Sequence, residues 1–573
     1  MESHLRPKMT EIGCIEELSE LIILNLEGKV KTTHLILQKE IYYGQWGNAP
    51  KSKTFEGINS SRLEEMVNLV YLEIKFRRHL TIFPPNLEHL VFRNKYDNEL
   101  INLPPNLKRL ELGIRFDNNL DNLPNLTHLW ISENYNKPLN YLPSTLTFLR
   151  LGWNYQQPIG LSIGSLGLDL KNLTNLTHLE LGELYNHPID NLPDSLTHLI
   201  IGSKFNHPID NLPSKLLHLT IRGNFNHSID HLPLTITHLI LNDSLQQKID
   251  KLPPNLLHLR LGKSFNFPIE TLPSTLIYLC FSSKFNQPID HLASILPNLE
   301  IMLFNYQSKF NQVITSYPPL IKELSFGEAF NQELFNLPQS LTNLSFGKAF
   351  NQPISGLPSS LLYLSFNGHF DQPIDFLKNL PNLIELKLGG FFNQPLRPKT
   401  DSIEAFLSGR KPFLKHLANS IELAYSKAKP SNFYLSPTLR KLSFGCSFNQ
   451  SIELIENLVN LTHLSFGEDF NQPITALPFS LKELKFGHKF NQPLPFLVDL
   501  NLTHLDFGKS FNQPLVLPST LKKLELGELP FKTLTESDIP ESVESLTMFK
   551  VENGKFSYHC IIHKRTGIKW GDR

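Results

Sequence analysis

The chain has 573 residues, with 54 Lys plus Arg balancing 54 Asp plus Glu, and 22 histidines. Zero formal charge excludes an overall field that would draw in nucleic acid or an anionic membrane, and no run approaches the ~18 apolar residues of a membrane span. Four scattered cysteines, Cys14, Cys280, Cys446 and Cys560, form no CxxC pair and read as free thiols of a reducing compartment.

Residues 1–65 read as an N-terminal cap in which "THLIL" at Thr33–Leu37 is a possible first coil. The start lacks the apolar stretch of a secretory signal, which points to a cytoplasmic protein. The Asn-Leu-Thr triplets at Asn125–Thr127 and Asn175–Thr177 are then by-products of a repeat and not glycosylation acceptors.

From residue 66 one unit recurs at intervals of mostly 19 to 23 residues. Its register is carried by the second leucine of "LxxLxF/LG", from Leu72 through Leu199 and Leu386 to Leu546, with Met302 as a variant. In "LTHLIIG" the apolar residues Leu199 and Ile201 alternate, which predicts a short strand with both pointing inward. Phe205 fills the coil interior, and Asn206 is expected to be buried, bonding the turn backbone of its own and the next coil. Pro208 and Pro213 fix φ and remove N–H donors, so "HPIDNLPS" is an extended or polyproline-like return with Ile209 and Leu212 tucked in. A chain of such units is a solenoid, which adds coils without saturating one core.

Three places break the rhythm. "GLSIGSLGLDL" is inserted at Gly160–Leu170, within a thirty-residue interval from Leu149 to Leu179. At 397–437, Asp401 with Glu404 offers a helix start, and Phe413, Leu417, Ile421 and Tyr425 form a helical stripe ended by Pro430. The repeat resumes over 438–548, and residues 549–573 should close the last coil as a cap. The fold class is therefore mainly β: a leucine-rich-repeat-like solenoid of about 22 coils with a parallel concave sheet, extended proline-rich convex segments and one small helical insertion.

"FNQPI" at Phe285–Ile289, Phe350–Ile354 and Phe470–Ile474, each followed by "LxxLxFG" or a close variant, resembles the FNIP repeat, a short relative of the leucine-rich repeat found in social amoebae and in giant viruses of amoebae. The resemblance spans roughly residues 66 to 548 and implies a fold and a binding habit, not a reaction. If the source is viral, the location becomes the host cytoplasm. Many family members carry an N-terminal F-box, so the resemblance raises a ubiquitin-ligase substrate receptor with a degenerate F-box at "CIEELSELIILNL", Cys14–Leu26. Repeat-like "THLIL" follows too soon for three helices.

The residue before the second strand leucine points out onto the sheet. It is His at His89, His128, His178, His198, His218, His238, His258, His463 and His504. His178 to His258 occupy consecutive coils and should stand ~4.8 Å apart, either as a pH- or metal-sensitive stripe or as a surface spelling copied with the repeat. Asp190, Asp210, Asp230, Asp250, Glu270 and Asp290 form a second ladder, read as caps of the turn before Leu-Pro rather than calcium ligands. His559, Cys560 and His563 supply three possible ligands and no fourth, which favours cap packing. No P-loop, nucleophile elbow, HExxH or dinucleotide fingerprint occurs.

Function is expected on the concave face. His128 and Trp130, Phe148 and Arg150, and Trp153 just beyond cluster beside the first period break. Trp and Arg are frequent binding hot spots, and packing against the Gly160–Leu170 insertion is the alternative. Arg260, Tyr278 and Tyr363 are weaker members of the same face. The expectation is a monomeric, non-catalytic scaffold for a protein partner, without cofactor, metal, nucleic acid or membrane. The alternatives are the ubiquitin-ligase receptor, with ligase components as partners, and an enzyme with a site under the 397–437 insertion.

Overall fold

The computed structural model describes strands at Met9–Ile12 and His34–Leu37 and residues 60–562 other than 76–79, 94–95, 122, 140, 160–168, 242–244, 397–434, 454, 527–537 and 553–554. The F-box candidate at Cys14–Leu26, the helical stripe expected within 397–437, all but two residues of the Gly160–Leu170 insertion, and His563 lie outside the described residues.

Two compact units comprise the chain, Met1–Leu276 and Ile277–Arg573. Both are β-solenoids. In the first, strands run parallel in sequence order from Met9–Ile12 to His258–Arg260, each paired with the next. The strand at Met9–Ile12 was not anticipated from the sequence. In the second unit the parallel series runs from Tyr278–Phe281 to Ser545–Glu552, and Lys555–Ile562 turns back antiparallel onto the latter. Register never slips between repeats: Leu199 faces Leu219 and His198 faces His218. Each position of the repeat therefore becomes a column across the sheet.

Alternation buries one column and exposes the next. Leu199, Ile201 and Phe205 are buried at 1%, 0% and 0% exposure, and Ile209 and Leu212 follow at 3% and 9%. In the second unit a strand Phe joins the turn Phe, giving two parallel ring stacks. Phe326 and Phe330 lie 3.8 Å apart within one coil, and Phe330 stacks on Phe350 at 6.1 Å in the next. Such offset ring pairs add to area burial. The glycine that closes most strands lets the coil backbones meet. A Cβ on Gly347 would overlap the carbonyl oxygen of Gly327.

Asn206 is exposed, contrary to the buried position expected, and it bonds the next coil rather than its own turn. Its Oδ1 accepts the backbone N–H of Asn226 at 3.0 Å, while its own N–H donates to Asn186 Oδ1 at 2.9 Å. The following residue completes the step. His227 Nε2 lies 3.0 Å from the Asn206 carbonyl oxygen, and in the second unit Gln352 Nε2 donates to Asn331 O at 3.1 Å. "FNQP" and "FNHP" thus encode one acceptor and one donor for the neighbouring coil's backbone. A backbone partner at the rim needs no burial to be satisfied.

Return segments that keep a proline at the position of Pro213 are free of helix among the described residues, as expected. Where that proline is replaced, the same stretch winds into a short turn. The α-helix Leu292–Ile295 lies in "HLASIL", and 3-10 turns form at Asp375–Asn379, Ile455–Asn457 and Leu497–Asp499. Restored N–H donors permit i→i+3 and i→i+4 bonds that proline forbids. The aspartates cap a different backbone from the one expected. Asp230 Oδ1 accepts from the N–H groups of Asp250 and Lys251 in the next coil, each at 3.0 Å.

Candidate functional site

The exposed sheet face of the first unit carries two columns. In the first, His128, Phe148, His178, His198, His218, His238 and His258 stack ring on ring. The centroids are 5.7 and 5.9 Å apart around Phe148 and then 4.0, 4.2, 4.1 and 4.3 Å through the five histidines. This spacing is tighter than the ~4.8 Å between neighbouring strands.

The threonine of "LTHL" fixes the tautomer. Thr197 Oγ1 lies 3.1 Å from the Thr177 carbonyl oxygen, to which its one proton donates, and 2.9 Å from His198 Nδ1. Its remaining lone pair must therefore accept from Nδ1–H, leaving Nε2 as an outward acceptor. Thr127, Thr177 and Thr237 treat His128, His178 and His238 the same way. Arg109 Nη2 then donates to His128 Nε2 at 3.3 Å, which only this tautomer allows. Burial, with the charge of neighbouring rings added, lowers the pKa of His198 and His238 to about 4. Burial likewise lowers those of His178 and His218. His178, His198, His218 and His238 are therefore neutral at pH 7. Face-to-face rings point their Nε2 lone pairs side by side and not at a common centre, and among the described residues no group of three or more His, Cys, Asp or Glu is placed to hold a metal ion.

Beyond the second column, which runs from Trp130 through Arg150, Glu180 and Ile200 to Arg260, lies a trough of about 300 Å³. Its floor is the backbone at Gly113, Gly152 and Gly182, where a Cβ would run into the carbonyl oxygens of Arg93, Ser132 and Gly152 respectively. Arg93 stands at one end and Arg222 at the other, with Trp130, Arg150, Trp153, Glu180 and Glu183 along the sides.

An ion-pair chain braces these walls. Arg222 Nη1 donates to Glu183 Oε1 at 2.7 Å and Glu180 Oε1 at 3.2 Å, and Arg150 Nε reaches Glu180 Oε2 at 3.3 Å. Burial raises the Glu183 carboxyl's pKa, but bonds from Ser203 and Arg222 outweigh it and leave the pKa low. At the other end Arg93 Nε donates to the buried Glu73 at 3.0 Å and Arg93 Nη1 to Glu111 at 3.4 Å.

Five of the residues singled out in the sequence come together here. Trp130 faces Arg150 and His128 faces Phe148 across adjacent strands. Trp130 packs edge-on to Phe148 at 5.9 Å, and both are half-buried rather than freely exposed. Trp153 is 56% exposed. Trp130 Nε1–H, buried in the trough wall, has no hydrogen-bond partner. Arg260 is exposed at the end of this unit's last strand. Tyr278 and Tyr363 belong to the second unit, where Tyr363 borders a shallow depression with Ser345, Ser365, Glu385 and Lys387.

A family model for the FNIP Repeat matches residues 174–204, 185–224, 246–284, 310–349, 330–369, 459–489, 470–499 and 490–529. The chain is also 34% identical to CroV588, a giant-virus protein whose crystal structure is described as a novel circular leucine-rich-repeat structure. That likeness covers 90% of this chain and 75% of that one, with a TM-score of 0.62. This chain belongs to the FNIP-repeat family of leucine-rich-repeat-like proteins. YopM from Yersinia enterocolitica is 20% identical over 83% of this chain and 91% of its own, with a TM-score of 0.38. The functional domain of InlJ from Listeria monocytogenes is 15% identical over 59% and 72%, with a TM-score of 0.35. No curated protein matches the sequence.

Sequence reasoning missed Arg93, Arg222, Glu180 and Glu183. A signal existed in the FNIP repeat itself: Arg93 and Arg222 stand where most coils have the strand-closing glycine. "HLTIRGNFN" reads against "HLIIGSKFN", and the displaced Gly223 takes φ +70°, a backbone region open to glycine. The coils between keep Gly or Ser at that position, and the trough is the space left between the two arginines. Among the described residues no helix is long and apolar enough to cross a membrane.

Proposed function

We propose that this FNIP-repeat protein is a non-catalytic interaction scaffold, and that a protein partner docks on the sheet face of its first unit. The docking site is the trough bounded by Arg93 and Arg222, with His128, Trp130, Phe148, Arg150 and Trp153 at its edge. One observation carries the reading: Trp153 stands 56% exposed beside a braced groove whose wall holds the unpaired Trp130 Nε1–H. The trough is at the small end of ligand cavities, sized for one or two inserted side chains of a larger surface. Solenoid sheets supply such extended surfaces.

The test is capture of the partner from the native cell, followed by titration against variants. Trp153→Ala and Arg150→Ala should each weaken binding by about 2 kcal/mol, a hot-spot magnitude, with unchanged melting temperature. Arg150 leaves Glu180 still paired to Arg222, so its loss costs little stability. Unchanged affinity for both variants would overturn the assignment.

A further inference from the structure

The imidazole column is a surface of its own. Strands His198–Ile201, His218–Ile221 and His238–Leu241 bear no charged side chain, and beside the rings they present only Ile200, Thr220 and Ile240. The charged groups bordering the column are Arg109, Arg150, Glu180 and Arg260 on flanking strands, with Arg222 and Glu183 just past the strand ends. From His198 to His238 the face offers a partner neutral hydrogen-bond acceptors on strands that carry no charge of their own.

The structure contains one example of what such an acceptor binds. Arg109, one strand before His128, lays its guanidinium on His128 Nε2 at 3.3 Å, and the threonine behind the ring holds the acceptor outward. His178, His198 and His238 have the same threonine and the same outward Nε2, but the residues paired with them on the preceding strand are Phe148, His178 and His218, where His128 has Arg109. We propose that His178, His198 and His238 form an acceptor rail for the guanidinium groups of an extended, arginine-bearing segment of a partner protein. The inference rests on the reading of this sheet face as a docking surface, but it does not require the trough.

The complementarity is specific in kind. Guanidinium presents a planar fan of N–H donors and is weakly hydrated, so it surrenders water to a neutral ring nitrogen more readily than an ammonium does. A carboxylate has no proton to give these lone pairs and would be repelled by them. Acid would close the rail, since a protonated imidazole donates where it formerly accepted and repels the arginine. With His198 and His238 titrating near 4, the rail stays open at cytosolic pH.

The experiment uses a fluorescein-labelled peptide alternating Arg and Thr, titrated into the full chain by anisotropy at physiological salt, with Lys and Glu analogues in parallel. The Arg peptide should bind, the Lys peptide several-fold more weakly and the Glu peptide not at all. Binding should hold from pH 8 to about 5.5 and fall toward pH 4. The double variant His198→Phe, His238→Phe keeps the ring stack, since Phe148 already occupies this column, and should cost at least tenfold in affinity. His198→Gln, which retains an acceptor, should cost less than His198→Phe. Equal binding of the Phe variant, equal binding of the Glu peptide, or tighter binding on acidification would each overturn the rail. Trp153→Ala should leave peptide affinity unchanged. Loss of peptide binding only in the trough variants would reassign the peptide to the trough, overturning the rail but not the docking face.

Discussion

Asn331 offers a sharp test of the coil-to-coil code. Its Oδ1 accepts the Asn351 N–H at 2.8 Å, and its backbone oxygen receives Gln352 Nε2 at 3.1 Å. Asn331→Ala removes the first bond only and strands one half-buried N–H. The net value of one such bond is about 1 kcal/mol, which corresponds to roughly fivefold faster amide exchange at Asn351. Asn331→Asp keeps the acceptor. The chain already uses Asp in this role, since Asp371 Oδ1 accepts the Asn393 N–H at 2.8 Å. Its exchange rate should therefore stay within about a factor of two of the parent. The next residue should behave oppositely: Gln332 Nε2 donates to Asn311 O at 3.1 Å, so Gln332→Glu sets carboxylate against carbonyl and should cost about 1 kcal/mol. Hydrogen exchange read by mass spectrometry localises each effect without assuming that a long array unfolds in one step. If Asn331→Asp proves as damaging as Asn331→Ala, or Gln332→Glu is silent, the acceptor–donor reading is wrong.

Phe350 is fully buried among Phe330, Phe346, Phe366 and Phe370, so Phe350→Ala should cost about 4 kcal/mol, several times the Asn331 effect, and open its own and adjoining coils first to protease. A cost under about 1 kcal/mol would contradict the stacked core. Gly347→Ala should destabilise the same region by about 1–3 kcal/mol through overpacking against Gly327, with an unchanged denaturation midpoint as the contrary result. The histidine column sets a pH dependence. The folded-state pKa values of His178, His198, His218 and His238 are depressed below the unfolded ~6.5, so the unfolded chain binds more protons between pH 6.5 and about 4. Stability should be level above pH 7 and fall through that window, and the His198→Phe, His238→Phe variant should flatten the melting-temperature profile there.

Legibility followed the period. Leu199, Ile201, Phe205 and Ile209 could be placed inward from one coil because their neighbours repeat the same alternation, and stacking at fixed register does the rest. The clustering of Trp130 with Arg150 was readable for the same reason. Asn206 was misplaced because a polar residue next to a buried ring suggests burial, whereas its partner is the next coil's rim. The Arg222–Glu180 pair was invisible to a reading coil by coil, since it joins residues two strands apart. The histidine tautomers depend on where a threonine proton goes, which only the backbone oxygen of the preceding coil decides.

Hydroxyl-radical footprinting of the chain with and without its captured partner tests the docking face most directly, because tryptophan side chains report on their own exposure. The account predicts that Trp153 becomes protected on binding while Tyr141 and Phe479, 79% and 72% exposed on return segments, oxidise at unchanged rates. Protection of Tyr141 or Phe479 with Trp153 still fully reactive would place the partner on the return segments and contradict the claim.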